Sequence, residues 1–98
     1  MQFIIKAYDG ADMLEKRMAV RERHLENMAG VNGTILCAGG ILDREGKMKG
    51  SVLIMDFESK ELLDAYLRSE PYILEGVWQK IDIDPMNVVI LNGEKVGN

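Results

Sequence analysis

Two uninterrupted apolar runs, "TILCAGGIL" at residues 34–42 and "MKGSVLIMDF" at 48–57, are separated only by "DREGK". The polar, glycine-containing pentapeptide has the character of a hairpin loop, so the two runs are expected to pair as antiparallel strands. The flanking sequence must supply the rest of the sheet and its cover.

"FIIKAY" at 3–8 is short, β-branched and aromatic, and "DG" ends it, as a buried first strand reads. From Asp12 to Ala29 the apolar residues Leu14, Met18, Leu25 and Met28 follow helical spacing, with Gly30 placed as a stop. Ser59 is placed to cap a second helix, "KELLDAYLRS", which must end or kink near Glu70 because Pro71 follows. "YILEGV" then reads as a turn, and "WQKIDID" alternates as a fourth strand. The order βαββαβ predicts a ferredoxin-like α+β fold over residues 1–84, an antiparallel sheet with helices on one face. In the remaining 85–98, "VVIL" reads as an extra strand ahead of a disordered end. The uncovered sheet face predicts closure by a second copy, as a homodimer.

A chain of 98 residues has room for one core, and a domain this small leaves apolar surface for a second subunit to cover. The formal charge of −4 and pI near 4.9 argue against a general affinity for nucleic acid or an anionic membrane. No stretch approaches the roughly 18 apolar residues of a membrane span, and no signal peptide opens the chain. One cysteine, Cys37, excludes an intramolecular disulfide and any multi-cysteine metal site. The expected location is cytoplasmic, with Cys37 a buried, inert thiol.

The segments "EKRMAVRERHLENM" at 15–28, "ILCAGG" at 35–40, "GSVLIMDFES" at 50–59 and "SEPYILEGVWQKIDI" at 69–83 resemble, in order and spacing, the YciI-like (YCII-related) proteins of the dimeric α+β barrel group. The resemblance implies a dimeric α+β barrel and, for one branch, dehydrochlorinase chemistry performed by a histidine with an acidic partner. Carried over by position, the histidine is His24, the helix arginines Arg17 and Arg21, the hairpin serine Ser51, and the Pro-Tyr pair Pro71 and Tyr72. The family's usual aspartate before Pro-Tyr is here Glu70, and its "AGP" is here Ala38-Gly39-Gly40.

The residues themselves support a site at the same place. At about 100° per residue, Arg17, Arg21, His24 and Met28 lie along one flank of the first helix, beside the apolar stripe. Two guanidinium groups disfavour a protonated imidazole, while a carboxylate from Glu70 favours it and would fix the tautomer. Neither arginine has an acidic residue three or four positions away, so each is free for an anionic ligand or for a carboxylate elsewhere in the fold. Tyr72 reads as packing or as a ligand contact. Ser51 reads as a strand residue with its hydroxyl on backbone, and Gly39 and Gly40 as a bulge or a close approach to ligand. No dinucleotide or phosphate-loop fingerprint and no metal-ligand spacing occurs, so the expected chemistry is cofactor-independent and metal-free.

Two classes of function follow. One is a small lyase or isomerase with His24 and Glu70 as the proton-transfer pair and Arg17, Arg21, Ser51, Tyr72 and Gly39 around a small anionic substrate. The other is a non-catalytic dimeric module that binds an acidic metabolite or a protein. A His24–Glu70 hydrogen bond in a concave site separates the two.

Overall fold

The computed structural model describes residues 1–98. Its elements run β1 (Gln2–Asp9), α1 (Leu14–Ala29), β2 (Thr34–Leu42), β3 (Met48–Asp56), α2 (Lys60–Ser69), α3 (Pro71–Leu74), β4 (Trp78–Met86), β5 (Ile90–Leu91) and β6 (Glu94–Lys95). The first four long strands form one antiparallel sheet in the order β2-β3-β1-β4. The helices pack on one face of it, which is the ferredoxin-like α+β fold.

Strand alternation assigns the two faces. Phe3, Ile5 and Ala7 of β1, paired with Met55, Leu53 and Ser51 of β3, are buried beneath the helices. All of these but Ser51 form the apolar core, with Val20, Met28, Phe57, Leu63, Tyr66, Tyr72, Val77 and Trp78. The alternate residues Ile4, Val52 and Ile54 point to the open face and are half-buried. The central strand β3 is thus apolar on both faces around Val52–Met55, which explains its unbroken apolar run in the sequence. Between β1 and β3 the backbones come close at Gly50, where a Cβ would lie 2.5 Å from the Ala7 carbonyl oxygen. That approach seats the next residue, Ser51, under the helix layer.

Three expectations need correction. The helix starts at Leu14 because Asp12 adopts a left-handed φ of 58°. Its buried face is Arg17, Val20, His24 and Met28, while Leu14, Met18 and Leu25 are 36–50% exposed. The expected apolar stripe lies roughly 80° round the helix from the face that packs. Polar side chains hold the inward positions because partners deep in the fold satisfy them. Secondly, "YILEGV" is more than a turn. Pro71 at the first helical position and a cap from the Glu70 side chain to the Tyr72 N–H make a one-turn helix, α3. Thirdly, Cys37 is exposed, because β2 is an edge strand and Cys37 pairs with Ile54 on the open face.

The expected Ser59 cap is present, with its Oγ accepting from Leu62 N–H. The fourth strand runs on to Met86, and the tail folds as a small hairpin, β5-β6, turning at Asn92 and Gly93 with positive φ.

Candidate functional site

All four strands of the sheet and all three helices contribute side chains or backbone to one region around α1. Asp9, the last residue of β1, faces Arg17 in the first turns of α1. Arg17 Nη1 donates to both Asp9 carboxylate oxygens at 2.9 and 3.1 Å, and Nη2 donates to Ser51 Oγ at 2.8 Å. The Ser51 hydroxyl therefore bonds to a guanidinium and not to backbone, because its strand position places it directly under Arg17. With its oxygen accepting there, its hydrogen is left to donate elsewhere. Arg17 also lies 4.8 Å over the Tyr72 ring. Burial of Asp9 raises its carboxyl above the ordinary range, against the opposing pull of Arg17.

Two turns along α1, His24 Nδ1 is 2.6 Å from Glu70 Oε1. Glu70 is fully buried and His24 only 6% exposed. The same Oε1 accepts from the Tyr72 N–H at 3.0 Å, and Oε2 accepts from the Tyr66 hydroxyl at 2.5 Å. The carboxylate thus sits where α2 ends and α3 begins, fixed by a backbone cap on one oxygen and a phenol on the other. Tyr72 stacks on the imidazole at 4.1 Å and 16°, and Trp78 meets it edge-on at 5.7 Å. Burial raises the Tyr72 phenol, with Arg17 and Arg21 acting against it and Asp9 and Glu70 with it.

A pocket of about 150 Å³ opens between α1 and the β2-β3 hairpin. Arg17, Arg21, His24, Ser51 and Tyr72 line it, with Ala38, Gly39 and Gly40 of β2 opposite. Of the residues singled out in the sequence for the site, Glu70 lies off the pocket wall, behind His24, and Pro71 is likewise outside the lining. Gly39 and Gly40 stand in regular pairing with Val52 and Ser51, so neither marks a bulge; the register shifts lie at Ile35/Cys37 and Ile41/Leu42. Met28, Leu25 and Met48 add an apolar border. His24 Nε2 makes no hydrogen bond within the chain, and Arg21 is exposed without an ion pair. With Glu70 as a carboxylate, the proton of a neutral imidazole lies on Nδ1, which leaves Nε2 as an acceptor. Such an arrangement can move a proton beside a negatively charged ligand.

Two participants escaped the sequence reading. Asp9 carries no linear signal toward Arg17. Tyr66 does: it precedes Glu70, the C-cap of its helix, by four residues, the spacing at which side chains meet. No three His, Cys, Asp or Glu side chains gather closely enough to hold a metal ion.

The model of the YCII-related domain matches residues 1–87. The chain belongs to the YCII-related family. Among its relatives in this family, Protein YciI of Escherichia coli is 33% identical over 97 residues, spanning 91% of this chain and 99% of the relative. An uncharacterised Haemophilus influenzae protein is 32% identical over the same shares. Among solved structures, 5-chloro-2-hydroxyhydroquinone dehydrochlorinase from Burkholderia phenoliruptrix, in complex with 2,5-dihydroxybenzoquinone, superposes with a TM-score of 0.80. It is 23% identical, covering 89% of this chain and 94% of that one. An antibiotic biosynthesis monooxygenase from Bacteroides thetaiotaomicron, assigned as such only provisionally, shares the fold at a TM-score of 0.60, with 12% identity over 94% of this chain and 91% of that one. No helix of this YCII-related protein is long and apolar enough to cross a membrane.

Proposed function

We propose that this protein is a cofactor-independent lyase or isomerase that transfers a proton on a small anionic or enolisable substrate. The observation that carries the reading is the buried 2.6 Å contact between His24 Nδ1 and Glu70, with Nε2 of the same ring free at the wall of a pocket that Arg21 also lines.

In this mechanism Arg21 holds the substrate anion and the Ser51 hydroxyl donates to a second oxygen. His24 Nε2 removes a proton from carbon next to a carbonyl, or from a phenolic hydroxyl, and Glu70 stabilises the imidazolium that forms. The C–H or O–H electron pair moves into a new double bond. From a C–H, a leaving group on the adjacent carbon departs with its own pair, or the proton returns at another atom of the conjugated system; from a phenolic O–H, the new bond is C=O, the ring pair it displaces moves to carbon, and the proton returns there. The dehydrochlorinase with its bound dihydroxybenzoquinone has the same fold, which supports hydroxylated quinones and related enols as the first substrates to try.

The protein acts as a homodimer in the cytoplasm. The half-buried apolar residues Ile4, Val52 and Ile54 on the open sheet face support a second copy as cover. The deciding experiment assays hydroxyquinones and enolisable acids with the wild type, His24→Ala and Arg21→Ala. Loss of roughly 100-fold or more in kcat for His24→Ala is expected. Arg21→Ala is expected to raise KM at least 10-fold with kcat less affected. Turnover by His24→Ala at the wild-type rate overturns the proposal. Ligand binding without turnover by the wild type returns the protein to the class of binding modules.

A further inference from the structure

Glu70 has two oxygens and unequal company. Oε1 faces both His24 Nδ1 and the Tyr72 N–H, whereas Oε2 has the Tyr66 hydroxyl as its one partner, at 2.5 Å. Glu70 is fully buried, so solvent cannot take the place of that phenol. Tyr66 is itself fixed, 4% exposed, with its ring packed against Phe57 at 6.4 Å between centroids.

We infer that Tyr66 is a positioning residue, whose hydroxyl holds Glu70 as an ionised carboxylate with Oε1 turned to His24, so that the imidazole keeps its proton on Nδ1 and presents Nε2 to the pocket. This rests on the His24–Glu70 reading above and adds a third member to it. Without the phenol, a buried carboxylate oxygen has no donor, and the carboxylate is relieved by drawing the shared proton toward itself. The pair then holds a proton more tightly, and Nε2 is a weaker route for releasing it. Burial and the neighbouring carboxylate raise the Tyr66 phenol, which keeps it a donor throughout the working range. The charged and titratable groups facing the pair are Arg17 and Arg21 from α1, Tyr66 from α2, Tyr72 from α3, and, beyond Arg17, Asp9 of β1. Of these, only Tyr66 touches Oε2.

The chain has one histidine, so its ring signals are assigned without ambiguity. The test follows the ¹H and ¹⁵N ring signals of His24 against pH in the wild type, Tyr66→Phe and Glu70→Gln. For Tyr66→Phe, an upward move of the titration midpoint by about half a unit or more is expected, with the amide spectrum otherwise retained. Glu70→Gln is expected to move the midpoint down. A Tyr66→Phe curve that superimposes on the wild type, while Glu70→Gln shifts, overturns the role of Tyr66 and leaves the His24–Glu70 pair standing. If both variants superimpose on the wild type, the pair itself fails and the inference with it. Should Tyr66→Phe not fold, 3-fluorotyrosine at position 66, a stronger donor of the same shape, is expected to lower the midpoint. No movement there overturns the inference equally.

Discussion

Arg17 and Asp9 form a buried ion pair, with one guanidinium nitrogen 2.9 and 3.1 Å from the two carboxylate oxygens and both side chains 4% exposed. Removing one member of such a pair strands the other charge away from water. Asp9→Ala is therefore expected to destabilise the fold by about 3 kcal/mol, read as a lowered midpoint in urea. Adding Arg17→Met to Asp9→Ala is expected to recover part of that loss, since the uncompensated cation is then gone. A double variant no more stable than Asp9→Ala alone would show that the cost came from lost packing.

The helix that carries Arg17 also shows where a linear reading reaches its end. The hairpin and the order of the main elements are legible because alternation and helical spacing are local properties, written over stretches of about ten residues. Which face of α1 packs is not. Arg17 and His24 turn inward because of partners 34 and 46 residues further along, Ser51 and Glu70. Hydropathy alone gives that face to Leu14, Met18 and Leu25. A four-residue helix such as α3 has no period to detect, and its signals, Pro71 and the Glu70 cap, read equally as a turn. For the site, the resemblance located His24 and Glu70; Tyr66 is legible only through its four-residue spacing to Glu70, and Asp9 emerges only from the folded arrangement.

Alkaline pH should weaken the fold in a calculable way. Burial raises the phenols of both Tyr66 and Tyr72 above the ordinary value of 10.0. Above pH 10 the unfolded chain releases these protons while the folded chain keeps them, so stability falls as pH rises. Tyr66, deeply buried and beside a carboxylate, contributes up to about 1.4 kcal/mol per pH unit to the slope, and Tyr72 adds to it until its own phenol ionises. Urea unfolding between about pH 9.5 and 11.5 measures the total. Tyr66→Phe is expected to reduce the slope by one tyrosine's share, and an unchanged slope would argue against a buried, protonated Tyr66.

The open sheet face gives a test of the dimer through its thiol. Cys37 is exposed in the single chain and pairs in register with Ile54. In a dimer closed across this face, Cys37 reacts slowly with a thiol reagent, and Ile54→Lys both accelerates the labelling and halves the mass seen by sedimentation. A wild type that sediments as a monomer with rapidly labelled Cys37 would leave the face uncovered.

The two walls of the pocket differ in how firmly they are tied down. His24, backed by Glu70, is lodged among core rings, whereas Ala38, Gly39 and Gly40 belong to a strand paired on one side only. Gly40 leaves a narrow gap toward Met48, where an added Cβ would come within 3.2 Å of the sulfur. Small replacements along this rim alter the shape of the cavity while the His24–Glu70 contact stays where it is. Under the proposed function, editing this outermost strand changes which ligand fits and leaves that contact beneath it untouched.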